Sequence, residues 1–182
     1  MSKIIAIMLL LCCGMMLFGC ADDNGRRKAE QQKTIVVTDS VGRKVELPYP
    51  LERVAVCNVY NAELITAVGA IDKIVGVDNY IFKDQSGFKN RFNEAQVFGI
   101  SQNAMNYEKL AELAPQAVII TGEGTWRDAQ EMLDRFGIKV IVINSYYTDQ
   151  FADNCRLIGR IFGREEHCLL YTSPSPRDST SS

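Results

Sequence analysis

Four short, uninterrupted apolar segments constrain the fold of this chain more than any other feature. They read VAV, IVGV, AVII and VIVI, and stretches with helical periodicity separate them. Strands that are apolar on both faces need helices on both faces, and strands joined through helices run parallel with right-handed crossovers. The pattern therefore predicts an α/β fold, a Rossmann-like lobe whose mainly parallel sheet is flanked by helices.

The limits of the individual elements follow from apolar spacing and from the positions of glycine and proline. The predicted strands are residues 34–38 and 44–47, on either side of a hairpin-like turn, then 53–57, 74–77, 96–98, 117–121 and 139–143. The predicted helices are residues 62–68, 107–113, 126–136 and 149–162. Residues 78–94 are predicted to form a polar, aromatic loop.

The first twenty residues have the order of a secretory signal, with a single Lys3, an apolar block and a small residue before the cut. The string LFGC resembles a bacterial lipobox, so residues 1–19 are predicted to be a lipoprotein signal peptide and Cys20 the lipid-modified first residue. Each buried CH₂ of an acyl chain contributes about 0.8 kcal/mol to anchoring. Residues 20–33 are then a polar tether of an exported, membrane-anchored protein that faces the periplasm or the cell exterior. A plain secreted protein and an uncleaved anchor are the alternatives.

The other end of the chain departs from the pattern that precedes it. From Cys168 the sequence reads CLLYTSPSPRD, without apolar periodicity, and a break in helical structure is expected there. This string matches a reading frame of a transposon-end adapter used in sequencing libraries. Residues 168–182 are therefore interpreted as a sequencing-adapter artefact, and a Ser/Pro-rich disordered tail is the alternative.

Cysteine usage and charge exclude several kinds of site. Of the six cysteines, only Cys57 and Cys155 lie inside the predicted lobe, and no CxxC or Cys/His spacing supports a zinc site or another bound metal. We expect two buried thiols, with a disulfide as the alternative. The formal net charge of -2, with interspersed signs, gives no footprint for nucleic acid.

Ligands of open parallel sheets bind beyond the carboxyl ends of the strands. Amides, hydroxyls and aromatic rings concentrate at those positions, and such an amphipathic rim suits a bulky organic chelate. Loops are also rich in such residues in general, which is the alternative interpretation. The predicted ligand-binding residues are Asn58, Tyr60, Asn79, Tyr80, Ser101, Glu123, Trp126, Tyr146 and Tyr147.

Five segments resemble, in this order, the first lobe of ABC-importer substrate-binding proteins of the iron-siderophore, haem and cobalamin type. They are VTDSVGRKVELP, ERVAV, AELITAVGAIDKIVGV, NYEKLAELAPQAVII, and GIKVIVIN followed by LIGRIFGREE. The resemblance implies that residues 34–167 form an N-terminal lobe with the start of an interlobe helix. It also implies a partner lobe that clamps the ligand, and this second lobe is missing from the sequence.

By the same resemblance, the protein is a lipid-anchored binding component that delivers a metal chelate to an ABC permease and its ATPase. A ferric siderophore is the first expectation, with cobalamin or haem as alternatives; we expect a monomer without an intrinsic cofactor. Glu108 matches a surface glutamate that docks onto arginines of the permease. An ordinary glutamate in the first turn of a helix is the other interpretation of this residue.

An enzyme is the least supported class of function. No phosphate-binding glycine motif or nucleophile elbow follows a strand, and the only histidine, His167, lies beside the predicted junction. The sequence therefore predicts a binding protein without catalytic residues. A chelate sensor or scavenging lipoprotein that works without a transporter, and a non-functional truncated fragment, remain the rival interpretations.

Overall fold

The computed structural model describes the backbone of residues 33 to 172 and the side chains of residues 33 to 168. Its strands are β1 (Thr34–Thr38), β2 (Lys44–Pro48), β3 (Val54–Val56), β4 (Ile74–Val77), β5 (Ala117–Ile120) and β6 (Lys139–Val142). Its helices are α1 (Val59–Ala67), α2 (Asn79–Lys83), α3 (Tyr107–Leu113), α4 (Trp126–Asp134), α5 (Phe151–Phe162) and α6 (Glu165–Thr172). The predicted alternation of strands and helices is confirmed.

The last four strands form one parallel sheet in the order β4-β3-β5-β6. The chain passes from β3 to β4 on one side, then crosses to β5 on the other side. The strand order therefore reverses between β3 and β5, which is where open sheets of this kind bind ligands. The α/β class and the Rossmann-like parallel sheet, both predicted from the apolar segments, are confirmed.

Both faces of the sheet are buried, and alternate residues of β3 show how. Val54 and Val56 pack in one hydrophobic cluster with residues of α1 and α5, whereas Ala55 packs in a second cluster with residues of α3 and α4. Successive side chains of a strand point to opposite faces, so a strand covered on both sides must be apolar throughout. Cys57 and Cys155 are buried thiols, as the sequence predicts.

The β1–β2 hairpin covers the edge of the sheet at β6. The amide of Ser40, in the turn of the hairpin, donates to the carbonyl of Val142 at 2.9 Å, and the amide of Val142 donates to Asp39 Oδ2 at 3.3 Å. An open strand edge invites pairing with other chains, and these hydrogen bonds occupy the amide and the carbonyl of Val142 at this edge.

Two predictions between residues 78 and 98 were wrong. The expected loop contains α2, because Asp78 caps the helix by accepting a hydrogen bond from the amide of Ile81. The expected strand at 96–98 is replaced by a 3₁₀ turn at Glu94–Gln96, where Asn93 forms a capping box with Gln96. Only Val97 still pairs with the sheet, through a single bridge to Val77.

The chain continues in helical structure across residue 168, where the sequence predicts a break. Helix α5 ends at Phe162 because Gly163 adopts a left-handed conformation with φ of 65°. Helix α6 then runs to Thr172, and the buried Cys168 donates from Sγ to the carbonyl of Cys155 at 2.8 Å. The interlobe role of this segment and the adapter origin of residues 168–182 stay predictions.

Residues 1 to 32, with the predicted signal peptide and Cys20, lie outside the described residues. Among the helices of residues 33–172, none has the length and apolar character needed to cross a bilayer.

Candidate ligand-binding cleft

An open cleft of about 740 Å³ lies beyond the carboxyl ends of β3, β4 and β5. Its lining comes from residues 58–63 after β3, 78–86 after β4, 101–103 in the loop before α3, and 121–124 after β5. The cleft therefore spans the point at which the strand order reverses, where the loops of neighbouring strands diverge and leave room for a ligand.

Asn58 forms the floor of the cleft at the end of β3 and begins α1. Its φ of 77° is positive and its ψ is 127°, a combination that is strained for any residue with a side chain. Its side-chain oxygen accepts a hydrogen bond from the amide of Tyr60 at 2.9 Å and so caps the helix. This tight turn at the strand end directs the first residues of α1, including Tyr60, toward the cleft.

Asp78 joins the ends of β3 and β4. Its two carboxylate oxygens accept hydrogen bonds from the amides of Asn58, at 3.1 Å, and Ile81, at 2.9 Å. Burial disfavours the charged carboxylate and raises the pKa of Asp78, while the backbone hydrogen bonds oppose that shift. The carboxylate thus fixes the relative position of two loops that line the cleft.

Gln102 joins the loop before α3 to the loop after β5. Its side-chain oxygen accepts from the amide of Thr121 at 3.0 Å and from Thr121 Oγ1 at 2.8 Å, and its amide nitrogen donates to the carbonyl of Glu123. Gly99 lets this loop fold back, because a Cβ at Gly99 would lie 2.9 Å from Met105 Cα. The polar wall of the cleft is therefore held by hydrogen bonds between side chains and backbone.

Two tyrosines on the cleft are largely exposed. Tyr60 on α1 is 54% exposed and Tyr80 on α2 is 63% exposed. Their rings offer apolar contact, and the hydroxyls can orient a ligand. The two rings give the cleft the amphipathic rim that the sequence predicts.

Glu123 is the acidic group on the β5 side of the cleft. Tyr146 donates from its hydroxyl to Glu123 Oε1 at 3.0 Å. Burial, with hydrogen bonds to Tyr147 and Glu123, raises the pKa of Tyr146, so its hydroxyl stays protonated and available as a donor. One oxygen of Glu123 thus accepts a hydrogen bond from the protein, whereas Oε2 accepts none from residues 33–168.

The nine predicted ligand-binding residues divide into two groups. Five of them line the cleft: Asn58, Tyr60, Tyr80, Ser101 and Glu123. Four of them do not: Asn79, Trp126, Tyr146 and Tyr147. The structure places this second group on neighbouring surfaces, for reasons that differ from residue to residue.

Asn79 lies in a separate groove with Lys83 and Asn106, because it is the first residue of α2 and follows the capping residue. Trp126 is held between two guanidinium groups, with Arg43 at 4.2 Å and Arg127 at 4.1 Å from the ring centroid. The ring also packs against the hydrophobic cluster that contains Ala129 and Leu133, and it does not line the cleft.

Tyr147 packs against Tyr146, with ring centroids 4.3 Å apart, and both follow the edge strand β6. Tyr146 reaches the cleft only through its hydrogen bond to Glu123. The end of β6 is set apart from the switch point by the width of β5, which explains why neither ring lines the cleft.

Eight residues line the cleft without being among the nine predicted ones: Val59, Glu63, Asp78, Ser86, Gln102, Asn103, Thr121 and Gly124. Glu63 follows Tyr60 by three positions, and residues at this spacing share a helical face, so the helix pattern contained its signal. Asp78 could have been identified as a helix cap, whereas Thr121 was counted as part of a strand. Within residues 33–168, no group of three or more side chains forms a metal-binding cluster.

Residues 54–169 match the family model described as "Periplasmic binding protein". Because the match covers more than half of the 182 residues, the chain belongs to this family of binding proteins. Membership confirms the predicted family and the predicted class, a binding protein rather than an enzyme, and it implies a location outside the cytoplasm. A search of curated proteins found no match.

Solved structures show the same fold at low sequence identity. A periplasmic solute binding protein from Veillonella parvula DSM 2008 is 24% identical, with a TM-score of 0.62, and the match covers 76% of this chain and 44% of that one. The petrobactin-binding protein YclQ from Bacillus subtilis is 18% identical, with a TM-score of 0.60, over 75% of this chain and 47% of that one.

Staphylococcus aureus SirA, solved with staphyloferrin B, is also 18% identical, with a TM-score of 0.60, over 76% of this chain and 46% of that one. The chain thus spans less than half the length of each of these three structures. At such identities the likeness shows the fold alone.

Proposed function

We propose that the protein is a substrate-binding component of an ABC importer that captures a metal chelate and passes it to the permease. The observation on which this rests is the cleft: it lies at the switch point of a periplasmic-binding-protein lobe and presents Tyr60 and Tyr80 to solvent. An exposed aromatic rim with hydrogen-bonding groups behind it suits a bulky chelate better than a small ion.

A ferric siderophore is the first candidate for the ligand. Two relatives of the same fold are named for, or were solved with, petrobactin and staphyloferrin B. A cleft of about 740 Å³ can hold a drug-sized or larger molecule, and in this proposal a second lobe would cover the ligand from the other side. Haem and cobalamin are the other chelates to be tested.

The test is a titration of the purified protein with ferric desferrioxamine B, haem and cobalamin, followed by calorimetry. We expect the Tyr60→Ala and Tyr80→Ala variants to weaken binding of the preferred chelate about tenfold each, since aromatic anchors dominate such contacts. The matched control is Tyr147→Ala, which removes an exposed tyrosine outside the cleft. Equal losses in all three variants, or no binding of any chelate, would overturn the proposal.

Glu108 is the proposed contact with the permease. It lies exposed in the first turn of α3, outside the lining of the cleft. The expected result for Glu108→Ala is unchanged chelate binding with reduced uptake of labelled iron in cells that contain the permease and ATPase. Glu131→Ala, an exposed glutamate on α4, is the control. Reduced chelate binding in Glu108→Ala would contradict the docking role.

The lipid anchor at Cys20 is part of the same proposal and rests on the LFGC string. Mass spectrometry of the mature protein should find acyl chains on Cys20 and no residues before it. A Cys20→Ala variant should leave the membrane fraction. An unmodified cysteine behind an intact leader would contradict both the anchor and the predicted signal peptide.

A further inference from the structure

The cleft is acidic and contains no basic side chain among the residues that line it. Its ionisable carboxyl groups are Glu63, Asp78 and Glu123, and no lysine, arginine or histidine contributes to its described lining. Both carboxylate oxygens of Asp78 accept hydrogen bonds from backbone amides, whereas Glu63 and Glu123 are exposed. Two accessible carboxylates therefore set the electrostatic potential of this surface.

The cations of the adjoining elements, including the exposed Lys89 and Arg91 of the loop after α2, lie outside the lining of the cleft. Arg43 forms an ion pair with Asp39 at 2.7 Å and also lies over the ring of Trp126. Lys83 lines the separate groove next to Asn79. Neither group is part of the cleft, so a negatively charged ligand would meet carboxylates there without a compensating partner.

We infer that the part of the ligand facing this lobe is neutral or positively charged, as in a ferric trishydroxamate with a pendant ammonium group, and that a negative charge on that part weakens binding. This inference rests on the proposed function, chelate binding in the cleft, and adds the charge class of the chelate.

The aromatic rim supports the same class of ligand. A cation over the face of a tyrosine is attracted by the ring, and Tyr60 and Tyr80 leave more than half of their surface open on the cleft. Tyr60 and Glu63 lie one helical turn apart on α1, which puts an aromatic face and a carboxylate side by side. Ring and carboxylate together form a site for an organic cation, whereas an anion would gain nothing from either group.

A charge series on one chelate tests the inference without changing the metal coordination. The probes are ferric desferrioxamine B with its free ammonium group, the same complex acetylated at that amine, and the complex succinylated there, which are monocationic, neutral and monoanionic. We expect the affinity to fall about tenfold at each step at low salt, because charges a few ångströms apart at a protein surface interact on that scale. Added salt should compress the series.

The Glu63→Gln/Glu123→Gln double variant tests whether these two carboxylates cause the difference in affinity between the three probes. Neutral amides of the same shape should reduce the spread across the three probes to about threefold, and each single variant should give an intermediate spread. Glu123→Gln keeps an oxygen for the hydroxyl of Tyr146, so the loop should stay in place. Glu131→Gln, which removes an exposed carboxylate on α4, should leave the spread unchanged.

The outcomes separate this inference from the proposed function. If the anionic probe binds best, or if the double variant keeps the spread of the wild type, the charge inference is overturned while chelate binding stands. If none of the three probes binds, and haem and cobalamin also fail, the proposed function falls and the charge inference falls with it. Affinity that falls from the cationic to the anionic probe in the wild type, and differs much less between the probes in the double variant, supports both the charge inference and the proposed function.

Discussion

The end of β6 and the ends of β3 and β5 have similar sequences of polar residues, yet the structure uses them in opposite ways. After β6, Asn144 accepts from the amide of Gly122 at 2.6 Å, and Ser145 donates to Asn61 at 2.5 Å, with both residues buried. After β3 and β5, Tyr60 and Glu123 face the open cleft. Polar residues behind a strand therefore stabilise the fold at the edge of this sheet and form a site at its switch point.

This difference has a physical cause in the order of the strands. At the switch point the connections from β3 and β5 leave in opposite directions, and the cleft opens between the loops that follow these strands. At β6 the hairpin turn lies against the strand, and Ser40 and Asn154 complete the hydrogen bonding of Asn144. Variants on the two sides should accordingly affect different properties, stability at β6 and ligand binding at the cleft.

The largest expected effect is at the β6 side. Asp39→Ala removes the ion pair to Arg43 and the hydrogen bonds that the carboxylate accepts from the amides of Arg43 and Val142. We expect a loss of about 3 kcal/mol in the free energy of unfolding, because a buried pair loses one partner. Urea denaturation measures it, and Asp153→Asn, in an exposed pair with Arg156, is the control that should change nothing measurable.

A smaller loss is expected where the cleft loop folds back. In Gly99→Ala, the new methyl group would overlap the carbonyl oxygen of Ala104 and lie 2.9 Å from Met105 Cα, so backbone must move. We expect about 2 kcal/mol of destabilisation and weaker chelate binding, since the same loop positions Gln102. Gly87→Ala, with its nearest neighbour at 3.4 Å, serves as control. Stability equal to the wild type would show that the loop is free to rearrange.

On the cleft side, two variants of Asn58 test the backbone conformation at the end of β3. Asn58→Ala loses the cap of α1 and must hold a positive φ, so we expect a loss of about 1 kcal/mol in the free energy of unfolding. Asn58→Gly should recover most of that stability, because glycine adopts this φ without strain. Thermal and urea denaturation of the two variants check this ranking. An alanine variant as stable as the glycine variant would contradict the strained conformation at Asn58.

The smallest effect is the pH dependence due to Asp78. Burial raises the pKa of Asp78 in the folded protein above the ordinary 3.8. Between pH 3.8 and the raised pKa, Asp78 is therefore protonated in the folded protein and ionised in the unfolded chain. The stability from this proton is present below 3.8 and is lost as the pH rises through the raised pKa. Urea denaturation across this range should show wild type losing stability relative to Asp78→Asn. A difference independent of pH would contradict the raised pKa.

The sequence predicted the parallel sheet because its evidence is local and repeated: four apolar segments with helices between them. It could not tell Tyr60 from Tyr147, since both follow a strand, and only the strand order decides which lies at the switch point. Trp126 does not line the cleft although it follows β5, and one of the two guanidinium groups over its ring, that of Arg43, comes from far away in the sequence. The helix at residues 79–83 begins at the capping residue Asp78. The sequence analysis relied on the spacing of apolar residues, and that spacing does not reveal a cap.

Paramagnetic broadening tests the central claim, that ligands bind in the cleft, most directly. Ferric desferrioxamine B added to isotope-labelled protein broadens the amide signals of residues close to the iron, even when binding is weak, and the gallium complex is the diamagnetic control. We expect broadening at Asn58, Tyr60, Ser101 and Gly124, with Tyr147 unaffected. Broadening confined to the groove of Asn79 and Lys83, or to the β6 side, would contradict the account.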